Sequence, residues 1–340
     1  MSKATTTRKI AVLGPIPRDR IITYRSQVLQ KYGCVLYTAL ALAALLGDDG
    51  VVQPIVNVSE DDYYNIIELL KTRENIDLTG VRAVGDRGDI VELRYIDQNN
   101  RIERQKGFMA PITAADVEFA LDAEAFVCVP ITDYEVSQST LEYIRANSDG
   151  VILLDGHGPT STLVHEGKRE HRLWVDMDAW LPSIDILKMN LEEAGCSWLP
   201  RAGEDRAPGD PIPIDQLSDF ARHVLPRGIK ALCVTLDESG CVAFTLDDDG
   251  ELVETEVPRV PIDKVIDTTG CGDSFAAGMA FGYLLDQDIV TACHFGNAMG
   301  AQRASATVLD AYLPFDETSA QIDLAYAESA EPAVEAPAAR

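Results

Sequence analysis

Gly270, Cys271, Gly272 and Asp273 lie together in the stretch IDTTGCGDSFAAGMAF, residues 266–281, where a polar Asp-Thr-Thr gives way to glycines and then to an apolar, small-residue helix. The glycines let the backbone turn sharply and approach a ligand closely, and the N–H groups at the start of the helix have no intrahelical acceptor. That arrangement is an anion hole. Asp273, directly after the turn, can take a proton from a hydroxyl lined up with a phosphate held there, or it can simply cap the helix. Phosphoryl transfer calls for both a base and preorganised donors, because charge on the migrating group must be met and little covalent work is asked of the protein. Cys271 has no histidine nearby in sequence and does not read as a nucleophile.

Other spacings add to this centre. In LKMNLEEAG, Asn190 and Glu193 stand at i and i+3 on one face of an opening helix, either as ligand-binding groups or as a solvated helix start. In LLDGHGPT, Asp155 ends a strand and His157 lies between glycines, where an open-sheet enzyme places its site loops; a structural histidine is the alternative. Arg18 and Arg20 flank Asp19, where they either receive an acidic or phosphorylated substrate or form a structural pair.

The elements that must carry these groups follow from hydrophobic periodicity. Short β-type runs at 9–14, 51–56, 125–130, 151–154, 184–189 and 231–236 alternate with helical stretches at 34–46, 134–147 and 214–224. This alternation predicts an α/β fold with a mainly parallel central sheet flanked by helices. Residues 90–106 break the rhythm as two alternating runs around Asp97 to Asn100, a hairpin that can serve as a small β-lid, and a second hairpin is expected over 241–256. The main domain is drawn over 1–316, with the lid at about 88–108 plus part of the N-terminal region. Residues 317–340 form a C-terminal segment whose Ala, Glu and Pro-rich end reads as a flexible tail.

Composition narrows the partners. The 340 residues carry 55 acidic and 29 basic side chains, a formal charge of −26, so nucleic acid and anionic membrane surfaces are repelled. Only nine lysines are present, and runs such as Asp247 to Asp249 suit either solubility or a high-salt habitat. Seven cysteines without a Cys-x-x-Cys pair indicate neither zinc nor a disulfide framework, and the chain has neither an apolar leader nor a membrane-spanning run, so a cytoplasmic location is expected.

DTTGCGDSFAAG resembles the C-terminal signature of the ribokinase-like (PfkB-type) carbohydrate kinases, and with three further stretches the similarity spans roughly residues 8–310. The resemblance implies a ribokinase-like fold and an ATP-dependent kinase acting on a hydroxyl of a sugar or polyol. Asp273 would be the base, and the amides of Gly270, Cys271 and Gly272 the anion hole. Asn190 and Glu193 fit the family's Asn-x-x-Glu, which helps hold Mg2+, partly through water. VTLDESGC matches the nucleotide loop at Thr235 and Gly240, with Asp237 in place of the usual glycine, and Asn297 in HFGNAMGAQRAS falls where the family contacts nucleotide. Asp267 and the backbone of Thr269 fall on its monovalent-cation site, for K+. Asp19 matches the aspartate that grips a sugar hydroxyl. The usual Asn two residues before it is Pro17. Of the Gly-Gly-x-x-x-Asn stretch, Gly33 is kept, Cys34 replaces the second glycine, and Thr38 or a neighbour replaces the asparagine. These departures leave open a nucleoside kinase, with Tyr24, Tyr32 and Tyr37 as its base pocket, and a regulatory protein without turnover. An exposed lid sheet would be covered in a homodimer formed through the lid.

Overall fold

Apolar runs bounded by turn residues become strands, and longer Ala/Leu-rich runs become helices, in a computed structural model that describes residues 7–23, 25–85, 88–96, 101–200, 205–207, 209–309 and 311–327. In chain order the strands are β1 (Arg8–Leu13), β2 (Arg18–Ile22), β3 (Val28–Tyr32), β4 (Gly50–Val58), β5 (Val81–Ala83), β6 (Ile90–Tyr95), β7 (Arg101–Lys106), β8 (Ala125–Cys128), β9 (Val151–Asp155), β10 (Ser161–Leu163), β11 (Arg169–His171), β12 (Ile186–Asn190), β13 (Ala231–Thr235), β14 (Cys241–Leu246) and β15 (Leu252–Val257). The helices are α1 (Val35–Leu46), α2 (Glu60–Leu70), α3 (Ala114–Val117), α4 (Gln138–Asn147), α5 (Met177–Trp180), α6 (Leu191–Ser197), α7 (Leu217–Val224), α8 (Cys271–Asp286), α9 (Ile289–Ala304) and α10 (Phe315–Tyr326).

Nine strands form the main sheet in the order β15-β14-β13-β12-β9-β8-β1-β4-β5. From β13 to β5 all neighbours run parallel, and the hairpin β14–β15 joins antiparallel at one edge. Both faces of the central strands are covered, so β8, β9, β12 and β13 are buried along nearly their whole length rather than in alternation. Successive residues of β1 divide between two cores: Ile10 and Val12 face one, Ala11 and Leu13 the other. Every residue of α1 is buried, as expected of a helix apolar all round that packs against β4 and α8.

A second sheet, ordered β3-β2-β6-β7, is the lid. The 90–106 hairpin forms half of it and the N-terminal strands the other half; the Asp97 to Asn100 turn lies outside the described residues. Ile21, Val91 and Leu93 form its small core with Ile131 of the main body. The parallel register sets the carboxyl ends of β9, β12 and β13, with Asp155, Asn190 and Thr235, side by side, and Lys188 of β12 reaches the start of α8; this carboxyl edge is the usual ligand position of an open α/β sheet.

The boundary drawn at 316/317 from composition cuts through α10. This helix is anchored by buried Thr318 and Ile322 and by Gln302, whose Nε2 donates to Thr318 Oγ1 at 3.1 Å and Gln321 Oε1 at 2.9 Å. The alternation signal was weak there because only one narrow face is covered. Residues 328–340, read as a flexible tail, lie outside the described residues.

Helices α8 and α9 approach closely because glycine faces backbone. A Cβ at Gly278 would stand 2.2 Å from the Phe295 carbonyl oxygen. Gly278→Val is therefore expected to destabilise the fold by about 3 kcal/mol, measured by urea denaturation.

Candidate active site

The phosphate turn is held open from behind. Gly270 takes φ 82° as the residue preceding α8, and a Cβ there would lie 2.4 Å from the Tyr37 ring, so only glycine fits. Tyr37 is buried and carries the Arg303 guanidinium over its ring at 4.8 Å. Arg303 is fully buried and donates through Nη2 to Asp267 Oδ2 at 2.8 Å. Thr269 N donates to Asp267 Oδ1 at 3.0 Å, which fixes the Asp-Thr-Thr approach to the turn.

Of the three amides read as an anion hole, that of Cys271 is turned inward to the Thr268 carbonyl at 3.2 Å. The N–H groups of Gly270 and Gly272 have no acceptor among the described residues. Next to Gly272 lies a group that the sequence pattern did not single out. Lys188, buried on β12, brings its Nζ to within 3.2 Å of the position a Gly272 Cβ would occupy. The turn thus has a fixed ammonium beside it, which a bulkier residue at 272 would crowd.

Lys188 donates to Asp155 Oδ2 at 2.8 Å. Burial works against its charge, but the neighbouring Asp155 and Glu193 carboxylates outweigh it and raise its pKa. Glu193 is buried with both oxygens in use: Oε2 accepts from Asn190 N at 2.9 Å and Oε1 meets His157 Nδ1 at 3.0 Å. Asn190 Oδ1 accepts from Glu193 N at 2.8 Å, closing a capping box rather than a solvated helix start. Burial opposes the Glu193 charge, yet the His157 hydrogen bond and Lys188 hold its pKa below the usual value. His157 Nε2 lies 2.8 Å from Arg169 Nη2, which can only donate, so the proton sits on Nδ1 and points at Glu193.

Asp273 stands in the first turn of α8. Loss of hydration inside the cleft, and after it the Asp155 charge, push its pKa up to about 6 despite Lys188. Its backbone carbonyl accepts from Thr38 Oγ1 at 3.2 Å. Thr38 is fully buried, so the expectation that it touches substrate is corrected: it steadies the helix that carries the base. Gly33 leaves room for Asp19, since a Cβ would lie 2.8 Å from Asp19 Oδ2.

The flanking arginines are committed within the chain. Arg18 Nη2 donates to Asp62 Oδ2 at 2.9 Å and Arg20 Nη1 to Glu92 Oε2 at 2.7 Å, so they form structural pairs rather than a receptor for an acidic substrate. Tyr32 Oη donates to Asp62 Oδ1 at 2.7 Å, and Tyr37 backs Gly270, which removes both from a nucleobase pocket; Tyr24 lies outside the described residues.

Thr235, Gly240 and Asn297 come together around Cys241 at the start of β14: Thr235 pairs with it in the sheet, Gly240 precedes it, and Asn297 Nδ2 lies 3.9 Å from its sulfur. Thr235 Oγ1 donates to Met189 O at 3.3 Å, and the loop after it closes with Leu236 N on Gly240 O at 2.7 Å. Asp237 takes φ 49° there and is exposed, so the loop forms at the cost of a strained, charged residue.

The monovalent-cation reading does not fit the residues present. Asp267 Oδ2 already pairs with the Lys31 ammonium and the Arg303 guanidinium. Although burial opposes its charge, Lys31 and the Thr269 donors hold the Asp267 pKa at about 2. For magnesium the oxygen donors are of the right kind, but Glu193, fully engaged, can act only through water. Among the described residues no three carboxylates come within mutual ligand distance; the one cluster at such spacing is Cys233, Cys241 and Cys293, buried in the core. Their separation in sequence hid this convergence.

Because removing Lys188 uncovers Asp155 and takes away a charge that lowers the Asp273 pKa, Lys188→Met is expected to cost about 3–5 kcal/mol. NMR titration of the Asp273 carboxyl should then report a pKa above its wild-type value.

Residues 169–313 match the family model described as pfkB family carbohydrate kinase. An uncharacterized sugar kinase of Archaeoglobus fulgidus is 36% identical over 83 residues, covering 24% of this chain and only 30% of that protein's length. The structure of a pyrophosphate-dependent kinase in the ribokinase family superposes with a TM-score of 0.68 at 20% identity, covering 92% of this chain and 99% of that one. Arabidopsis thaliana ribokinase, complexed with ribose and ATP, gives 0.69 at 16% identity over 93% and 99%. Among the described residues no helix is long and apolar enough to cross a membrane.

Proposed function

We propose that this chain, a ribokinase-like member of the PfkB family by its 169–313 signature and its fold, transfers the terminal phosphoryl group of ATP to a hydroxyl of a neutral sugar or polyol. One observation carries the reading: Asp273, with its pKa pushed up to about 6, stands directly after a glycine turn at which Lys188 Nζ comes within 3.2 Å of the position a Gly272 Cβ would occupy.

In this reading the acceptor lies between Asp19 and Asp273, under the lid. Asp273 takes the proton of the attacking hydroxyl. The Gly270 and Gly272 amides and Lys188 meet the charge that develops on the migrating group, in place before the reaction and needing no rearrangement. Asn190 and Glu193 would hold magnesium through water. Magnesium, when bound, supplies neutralisation of the donor's phosphate charge. His157, fixed between Glu193 and Arg169, keeps the Glu193 carboxylate aimed.

A neutral acceptor is favoured because Arg18 and Arg20 are paired internally, and a polyol over a nucleoside because Tyr32 and Tyr37 are engaged elsewhere. The intact base and turn favour turnover over a purely regulatory role.

Magnesium-dependent ADP release across a panel of sugars, polyols and nucleosides tests the assignment. Asp273→Asn should lower kcat by about 10²–10⁴-fold with the fold intact. Because the base must be unprotonated, wild-type kcat/KM should fall about tenfold per pH unit below the Asp273 pKa of about 6 and level off above it. A pH-independent rate between 5 and 7 would count against Asp273 as the base.

Asp237→Gly removes an exposed charge from the loop assigned to the donor and relieves a positive φ. It should lower the donor KM about fivefold, read from initial rates, with kcat little changed.

A further inference from the structure

Beyond the phosphate turn, the far end of the donor cleft is built from Gly240, the 257–259 segment and α9. Gly240 lies so close to this segment that a Cβ would stand 2.2 Å from Val257 O. Asn297 commits its amide to the same segment, with Nδ2 donating to Pro258 O at 3.1 Å and Val257 O at 3.4 Å, and also to Tyr326 Oη at 3.2 Å. Tyr326, in the last turn of α10, donates from Oη to Pro258 O at 2.7 Å. Its ring lies on the His294 imidazole, centroids 3.9 Å apart and planes at 24°.

A flat ring stacked on an imidazole, with a polar edge set between a side-chain amide and a main-chain carbonyl, is how a protein holds a nucleobase. Here the chain's own tyrosine makes those contacts. The helix that carries it is anchored: Gln302 grips Thr318 and Gln321, and Phe315 stacks on Phe295 with planes at 4°. Withdrawing Tyr326 would break its hydrogen bond to Pro258 and its stack on His294, so an incoming base competes with contacts already made.

We infer that Tyr326 fills the place of the donor's nucleobase, so that the donor is selected by its phosphates alone and a base-free inorganic polyphosphate is held as well as a nucleoside triphosphate. This rests on the phosphoryl-transfer reading and deepens it. The Gly270–Gly272 turn and Lys188 recognise the phosphates, and the Asn297 amide and His294 face are already taken up by Tyr326.

Isothermal titration of the full chain with magnesium and ATP, GTP or inorganic tripolyphosphate tests this without knowledge of the acceptor. Wild-type dissociation constants should agree within about threefold, and Tyr326→Ala should bind ATP about tenfold more tightly with tripolyphosphate unchanged. Tyr326→Phe, which keeps the ring, should behave as wild type, and circular dichroism checks that both variants fold. Wild-type ATP binding more than about tenfold tighter than tripolyphosphate, or an unchanged ratio in Tyr326→Ala, would overturn the inference. If none of the three donors binds the folded chain, the phosphate turn itself is misread and both proposals fall; if they bind but Asp273→Asn turns over normally, only the catalytic assignment falls.

Discussion

A single buried ammonium allows three carboxylates to share one cleft. Asp155, Glu193 and Asp273 stand close enough that each shifts the titration of a neighbour, and the Lys188 ammonium, with His157 beside it, lowers the pKa of all three. Without it the like charges would force protonation or expansion of the site. With it, Glu193 stays ionised and committed to Asn190 and His157. Asp273 is left in between, held neither fully charged nor fully neutral near pH 6. The strand order that sets β12 between β9 and β13 is what puts Lys188 there.

A second charge group holds the glycine turn from the other side. Arg303 and Lys31 both pair with Asp267 Oδ2, one from α9 and the other from the lid strand β3. The lid and the turn are thereby joined through one carboxylate. Arg303 also rests on Tyr37, whose ring leaves space only for a glycine at 270, so the open amides of the turn follow from packing several residues away.

Much of the α/β core was legible because each buried strand is a compact apolar run, and the turn because Gly-x-Gly-Asp before a small-residue helix is a local pattern. Asn190 and Glu193 were legible as a pair for the same reason, their i, i+3 spacing. What escaped depends on contacts across the fold. Thr38 faces Asp273 from α1, 235 residues away, and nothing around position 38 signals that its hydroxyl turns inward. Arg18 and Arg20 look like a receptor for anions until Asp62 and Glu92 are brought beside them. Lys188 sits in an apolar strand where a lysine is unexpected, and that anomaly was the available signal for its role.

Cys271 occupies the turn itself, its sulfur 3.9 Å from the Asp267 carbonyl oxygen. Desolvation, only partly offset by Arg303, pushes its thiol up to about 12, so it stays protonated. Only the thiolate reacts with electrophiles and oxidants. The half-buried sulfur beside the phosphate turn is thus chemically quiet, and the chain keeps it there without taking on the redox sensitivity that such a position would otherwise bring.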